Sequence, residues 1–319
     1  MLAAGFLIFG IYLSITVFVF TLILFRLGSG VLDTSIHAYV AKVFYDSPSP
    51  VFIKLDFYWY MGAILGPLAV SIFLFFNLQV KYIFLFFFLM VVLVTVLFFR
   101  FCANVKSISL STPEESLIEN AKKIKPVSYS VLLKNKIILL SCTGLFLYIG
   151  IFTILSTWLT AYFSDFDIPL YLSSAFLSAF WIFNAAGIMI SGRILKKISE
   201  AKLLLFCGIA GCAGTLFYGF SSAIAAKLAF LVLQALSYSS FFPLLNAVAV
   251  AEDKKYSGTI LSITLSASVI GLVFFQPVSG FIMEYFKIQG INILLIVVSI
   301  ANLAVIFSLF RARNKKSLK

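Results

Sequence analysis

Three ionisable residues, Arg26, Asp33 and His37, stand inside a long apolar stretch near the start of the chain. They are 7 and 4 positions apart. On a helix this puts them within an arc of ~40° and along ~16 Å of its length. A charge at the centre of a membrane helix costs about 2.5–3.5 kcal/mol on insertion scales, so such a stripe is expected to face a polar cavity and not lipid. Asp33, nearest the middle, is the candidate proton acceptor. His37 could relay that proton or hydrogen-bond a solute, because imidazole titrates near physiological pH. A self-satisfied Asp33–His37 pair one turn apart is the alternative. Arg26 lies nearer the other surface, where snorkelling competes with solute binding. Asp56, on the next helix, is a fourth candidate for proton or solute work.

A second group is aromatic. Tyr148, Trp158 and Tyr162 fall within about a quarter turn of one predicted helix. Aromatic faces stack on sugar rings, and their O–H and N–H groups bond hydroxyls. An interfacial aromatic belt is the competing role, above all for Tyr162. Four amides, Asn184, Gln234, Asn246 and Gln276, lie within apolar runs. They either line a solute path or cross-link helices.

These residues need membrane helices to position them. The chain has 319 residues, 62% apolar, 17% aromatic and only 11% charged, where a soluble domain carries roughly 25% charged residues. That composition excludes an ordinary soluble enzyme, a disordered chain and a disulfide scaffold. Apolar runs long enough to cross a bilayer (~17–25 residues) occur near 2–18, 19–43, 53–76, 80–103, 137–163, 170–192, 203–221, 225–249, 258–284 and 291–311. The reading is therefore all-α: a polytopic membrane protein of about ten helices in two bundles. The first two runs need a turn near residues 16–20, because one helix over 2–43 would be ~63 Å long. Residues 1–103 form a partial four-helix bundle, 104–130 a cytoplasmic linker, 131–312 a six-helix bundle and 313–319 a basic tail. Inside the linker, Thr112-Pro113-Glu114-Glu115 caps a short surface helix that ends at Pro126.

The net charge of +12 does not indicate nucleic acid, because the Lys and Arg sit in short breaks between apolar runs. With the linker and tail on the cytoplasmic side, that side carries about 20 basic residues. Only Lys81, Lys227 and Lys287 lie opposite. This places the chain in the cell membrane with its C-terminus inside. Cys102, Cys142, Cys207 and Cys212 match no metal spacing and read as small core residues. With one His, no Gly-rich phosphate loop and no acidic pair at helical spacing within a span, no metal or cofactor is expected, and no enzyme. The partners are a small solute, protons and lipid.

Several motifs resemble the major facilitator superfamily, in particular its fucose-permease-like sugar transporters. Gly28-Ser-Gly30-Val-Leu-Asp33-Thr34 is similar to that family's fourth helix and Gly62-Ala-Ile-Leu-Gly66-Pro67 to its fifth. Phe146-Leu-Tyr148-Ile-Gly150 with Trp158-Leu-Thr-Ala-Tyr162 is similar to its seventh. Gly192-Arg193-Ile-Leu-Lys196-Lys197 resembles the gating loop after the eighth, and Phe242-Pro243 and the stretch Gly271 to Gly280 resemble the tenth and eleventh. The resemblance implies a twelve-helix plan lacking its first two helices and a secondary active transporter, proton-coupled, working by alternating access on a small polar solute such as a sugar. The chain departs from the family at His37 (usually Asn), Phe152 (often Glu) and Asp56 (often His). Lys196 replaces the acid of the gating loop, so the usual charge lock there does not carry over. A ten-helix drug or metabolite exporter and a non-transporting remnant are the alternatives.

Overall fold

A computed structural model describes residues 2–12, 14–43, 48–105, 128–221 and 223–317. Within them it leaves aside the side chains of 2, 26, 33, 34, 37–43, 48–50, 102–105, 254 and 317. The linker helix expected near 112–126 therefore lies outside the described residues.

Every regular element among the described residues is helical. In chain order they are α1 (Leu2–Ile11), α2 (Ile15–Val43), α3 (Pro48–Phe75), α4 (Val80–Val105), α5 (Tyr129–Leu133), α6 (Lys136–Ser164), α7 (Leu170–Ile194), α8 (Glu200–Phe220), α9 (Ile224–Tyr238), α10 (Phe241–Val250) and α11 (Ser257–Ser317). Among the described residues, eight stretches are long and apolar enough to cross a bilayer. Helices suit this setting, because each satisfies its backbone polar groups internally where no water can.

The first helix ends at Ile11 and the second begins at Ile15, so the break precedes the expected 16–20. Ser14 decides it, its hydroxyl accepting from the Val17 N–H at 3.2 Å and so capping α2. As a result α1 has 10 residues, a length of ~15 Å against a hydrocarbon core of ~30 Å. The last stretch holds 60 residues, at least twice what one crossing needs. It breaks at Lys287, whose backbone turns to φ 55, ψ −156. The two arms match the expected spans 258–284 and 291–311. Asn77 and Asp167 also take positive φ, in the turns after α3 and α6, where short polar side chains tolerate that conformation.

The chain forms two compact units by contact. One comprises 1–36 and 72–127, the other 37–71 and 128–319. In the first, phenylalanines do the packing. Phe6 meets Phe25 edge-on at 5.4 Å, and Phe9 meets Phe84 at 4.4 Å.

The second unit holds the buried core. Small residues set its closest approaches. A Cβ at Gly271 of α11 would stand 2.6 Å from the Phe146 carbonyl oxygen of α6. A Cβ at Gly187 of α7 would stand 2.8 Å from Leu236 Cα of α9. At the end of α10, the buried Glu252 carboxylate accepts from Asn135 Nδ2 at 3.0 Å and from Lys316 Nζ at 2.9 Å. Asn135 also caps α6, accepting from the Ile137 N–H at 2.9 Å. One carboxylate and one amide thus tie the ends of three helices.

Candidate functional site

Helix α9–α10 is interrupted in its middle, and the sequence explains the interruption. Pro243 has no N–H, so in a continuous helix the carbonyl four residues earlier, Ser239, goes unserved. Ser239 and Ser240 are both fully buried, and an orphan carbonyl at that depth is costly. Helix α3 supplies the donor: the Tyr60 hydroxyl donates to the Ser239 oxygen at 3.0 Å. Tyr60 is itself only 3% exposed.

Tyr60 belongs to an aromatic cluster drawn from α3, α6, α7 and α10. Trp181 lies 4.9 Å from Phe152, 5.6 Å from Trp59 and 6.0 Å from Tyr60, centroid to centroid. Tyr148 stacks on Phe241 at 5.7 Å and approaches Phe152 at 5.9 Å. Asp56, half-buried one turn before Tyr60, acts electrostatically on the Tyr60 and Tyr148 hydroxyls, and those two hydroxyls interact with each other. Trp59 is 52% exposed, so an open indole face borders an otherwise closed group. Two more bonds hold α3 to α7, from Ser71 Oγ to the Tyr171 oxygen (2.7 Å) and from Ser178 Oγ to the Ile64 oxygen (3.1 Å). A carboxylate, two phenols and three flat faces together can grip a hydroxylated ring. Phenols and a carboxylate are groups that can bond hydroxyls, and aromatic faces can cover C–H surface.

The expected site residues separate into groups. Arg26, Asp33 and His37 stand on α2, and their side chains lie outside the described residues. Asp56 and Tyr148 meet in the cluster. Trp158 and Tyr162, expected on the same face as Tyr148, serve a different place further along α6. Tyr162 is buried and its hydroxyl accepts from Lys227 Nζ, which also donates to the Tyr218 carbonyl at 3.1 Å. Asn184 donates to the Phe180 oxygen of its own helix at 2.9 Å. Asn246 accepts from Thr264 Oγ1 at 2.6 Å and so joins α10 to α11. Gln234 is fully buried, and its Cγ would be 3.1 Å from a Cβ at Gly214 of α8. Gln276 is exposed and donates weakly to Thr157 Oγ1 at 3.4 Å. Gly192 sits against Ile53 of α3, and Arg193, Lys196 and Lys197 are exposed at the end of α7.

The sequence reading missed Trp59, Tyr60, Trp181, Ser239 and Lys227. Pro243 carried a usable signal for Ser239, since a mid-helix proline announces an orphan carbonyl four residues back. A crevice of about 240 Å³ between α7 and α9 does not suit a polar solute, because Phe176, Phe180, Phe183 and aliphatic chains line it.

Residues 1–251 match the family model of the Major Facilitator Superfamily. The chain belongs to this family. It is thus a multi-pass membrane protein of a transporter family, and membership sets aside the ten-helix drug or metabolite exporter. No curated protein matches the chain. Among solved structures it is similar to a Major Facilitator Superfamily transporter, FucP, in the outward conformation. The TM-score is 0.63 at 17% identity, over 97% of this chain and 79% of that one. It is also similar to a variant of the E. coli fucose:proton symporter FucP, with TM-score 0.62 at 18% identity, over 97% of this chain and 80% of that one. At these identities the likeness shows the fold.

Proposed function

We propose that this protein is a secondary active transporter of a small polar organic solute, sugar-like in its pattern of hydroxyls, driven by a proton gradient. The observation that carries the reading is the Asp56–Tyr60–Tyr148 group walled by Trp59, Phe152 and Trp181. Asp56 and the two phenols take the solute's hydroxyls, and the rings stack on its apolar face. Asp33 on α2 takes up and releases the coupling proton, with His37 as relay. The two bundles, 1–103 and 131–312, rock about this midplane site, and the linker and basic tail stay in the cytoplasm. Family membership supports transport. The fucose:proton symporter among the similar structures supports a sugar as the first solute to try.

Uptake of labelled monosaccharides, fucose first, into proteoliposomes with an imposed pH gradient tests the reading. A protonophore is expected to abolish accumulation. Asp33→Asn is expected to remove gradient-driven accumulation while exchange of solute persists. Asp56→Asn and Trp181→Ala are expected to weaken solute affinity at least tenfold. No uptake of any monosaccharide, or full accumulation by Asp33→Asn, overturns it.

A further inference from the structure

Away from the aromatic cluster, α6, α8 and the second arm of α11 enclose a crevice of about 10 Å³. Aliphatic chains such as Leu155, Leu159 and Leu295 make most of its wall, and four polar side chains, Trp158, Tyr162, Tyr218 and Asn292, also line it. Two of these bring buried atoms with no hydrogen-bond partner in the protein: the donor Trp158 Nε1 and the acceptor Asn292 Oδ1. Buried polar atoms of native proteins are almost always served. A volume near 10–15 Å³ by this measure holds a single water, which needs two to four polar partners. One orphan donor and one orphan acceptor, on two side chains that line the same crevice, are the complement of a hydroxyl. Tyr162 extends the set, because its oxygen takes the Lys227 ammonium. Lys227 as a whole is only 3% exposed. Its ammonium lies 5.0 and 5.1 Å from the centroids of the Tyr162 and Tyr218 rings.

We infer that this crevice binds one ordered water molecule. The water accepts from the Trp158 indole N–H and donates to Asn292 Oδ1. It joins these side chains to the Tyr162–Lys227 pair in one polar chain inside the second unit. The site is separate from the solute cluster and does not depend on the transport reading.

Two measurements on the full-length protein in lipid nanodiscs test it. The first is a map at a resolution that shows waters, from protein prepared without glycerol. A peak within hydrogen-bond distance of both Trp158 Nε1 and Asn292 Oδ1 is expected. Protein density alone overturns the inference, as does a peak that appears only when glycerol is added. The second is thermal unfolding of Trp158→Phe, Asn292→Leu and the double variant. With a shared water, each single change lowers the melting temperature by about 2–4 °C. The double change then lowers it no further than the worse single one, because the last orphan goes with the water. Single changes that are neutral or stabilising, with additive effects in the double, overturn the inference. Should Trp158→Phe not fold, exchange cross-peaks between water and the ¹⁵N-labelled indole of the full-length protein give the same decision.

Discussion

One hydroxyl in this protein does the work of a missing backbone amide. Tyr60 donates to the Ser239 carbonyl that Pro243 leaves unserved. Tyr60→Phe keeps the ring in its contact with Trp181 and removes only the donor. The expected loss is about 1–3 kcal/mol, the desolvation penalty of an orphaned buried acceptor. Thermal unfolding in detergent reads it. In a Pro243→Ala background the new N–H can take the Ser239 oxygen, so the same Tyr60→Phe change is expected to cost much less. Equal losses in both backgrounds would show that the hydroxyl matters for some other reason. Lys227 makes a related point. It reads in the sequence as one of three cations on the less basic side, yet it is buried among aromatic rings and caps the last turn of α8 through the Tyr218 carbonyl. Nothing in its immediate neighbours announces that, because Tyr162 and Tyr218 arrive from other helices.

At the scale of elements, helix identity was legible and helix partnership was not. Apolar run length located α3, α4, α6, α7, α8, the joint stretch of α9 and α10, and both arms of α11, though neither short α5 nor the break between α9 and α10, since bilayer thickness sets a span's length independently of what packs against it. The α1–α2 break differs from the expected one because the Ser14 hydroxyl caps α2, which run length does not reveal. The site was half legible. Asp56 and Tyr148 stand out by type, whereas Trp59, Tyr60 and Trp181 look like ordinary membrane aromatics until α3 is laid beside α7. Amides inside spans misled for the same reason, Asn184 bonding its own helix and Asn246 joining two. The break in α11 gives a clean test. Lys287 occupies φ 55, ψ −156, a region nearly reserved for glycine that costs other residues about 1–3 kcal/mol. Lys287→Gly is expected to raise the melting temperature in detergent, because glycine reaches that conformation without strain. A lowered melting temperature would mean that the lysine side chain contributes more than its backbone strains.

At the scale of the molecule, charge distribution is the property that the sequence displays most openly. About 20 basic residues fall on one side of the predicted topology and three on the other. A green fluorescent protein fused after Lys319 is therefore expected to fluoresce in bacterial cells, and alkaline phosphatase at the same place to be inactive. The reverse pair of results would invert the whole assignment. Family membership sets the scaffold for this arrangement. Solute and coupling ion rest on a few side chains, because many chemistries share one helical plan.

The interruption between α9 and α10 carries one more consequence, for biosynthesis. The tyrosine that completes it is 179 positions earlier in the chain, so it leaves the ribosome and enters the bilayer long before the proline does. The C-terminal helices thus receive their missing donor from a segment already inserted. If the portion from residue 128 onward were expressed by itself, that carbonyl would lose its donor. Supplying the earlier portion as a separate polypeptide in the same cell should then raise the yield of the later one.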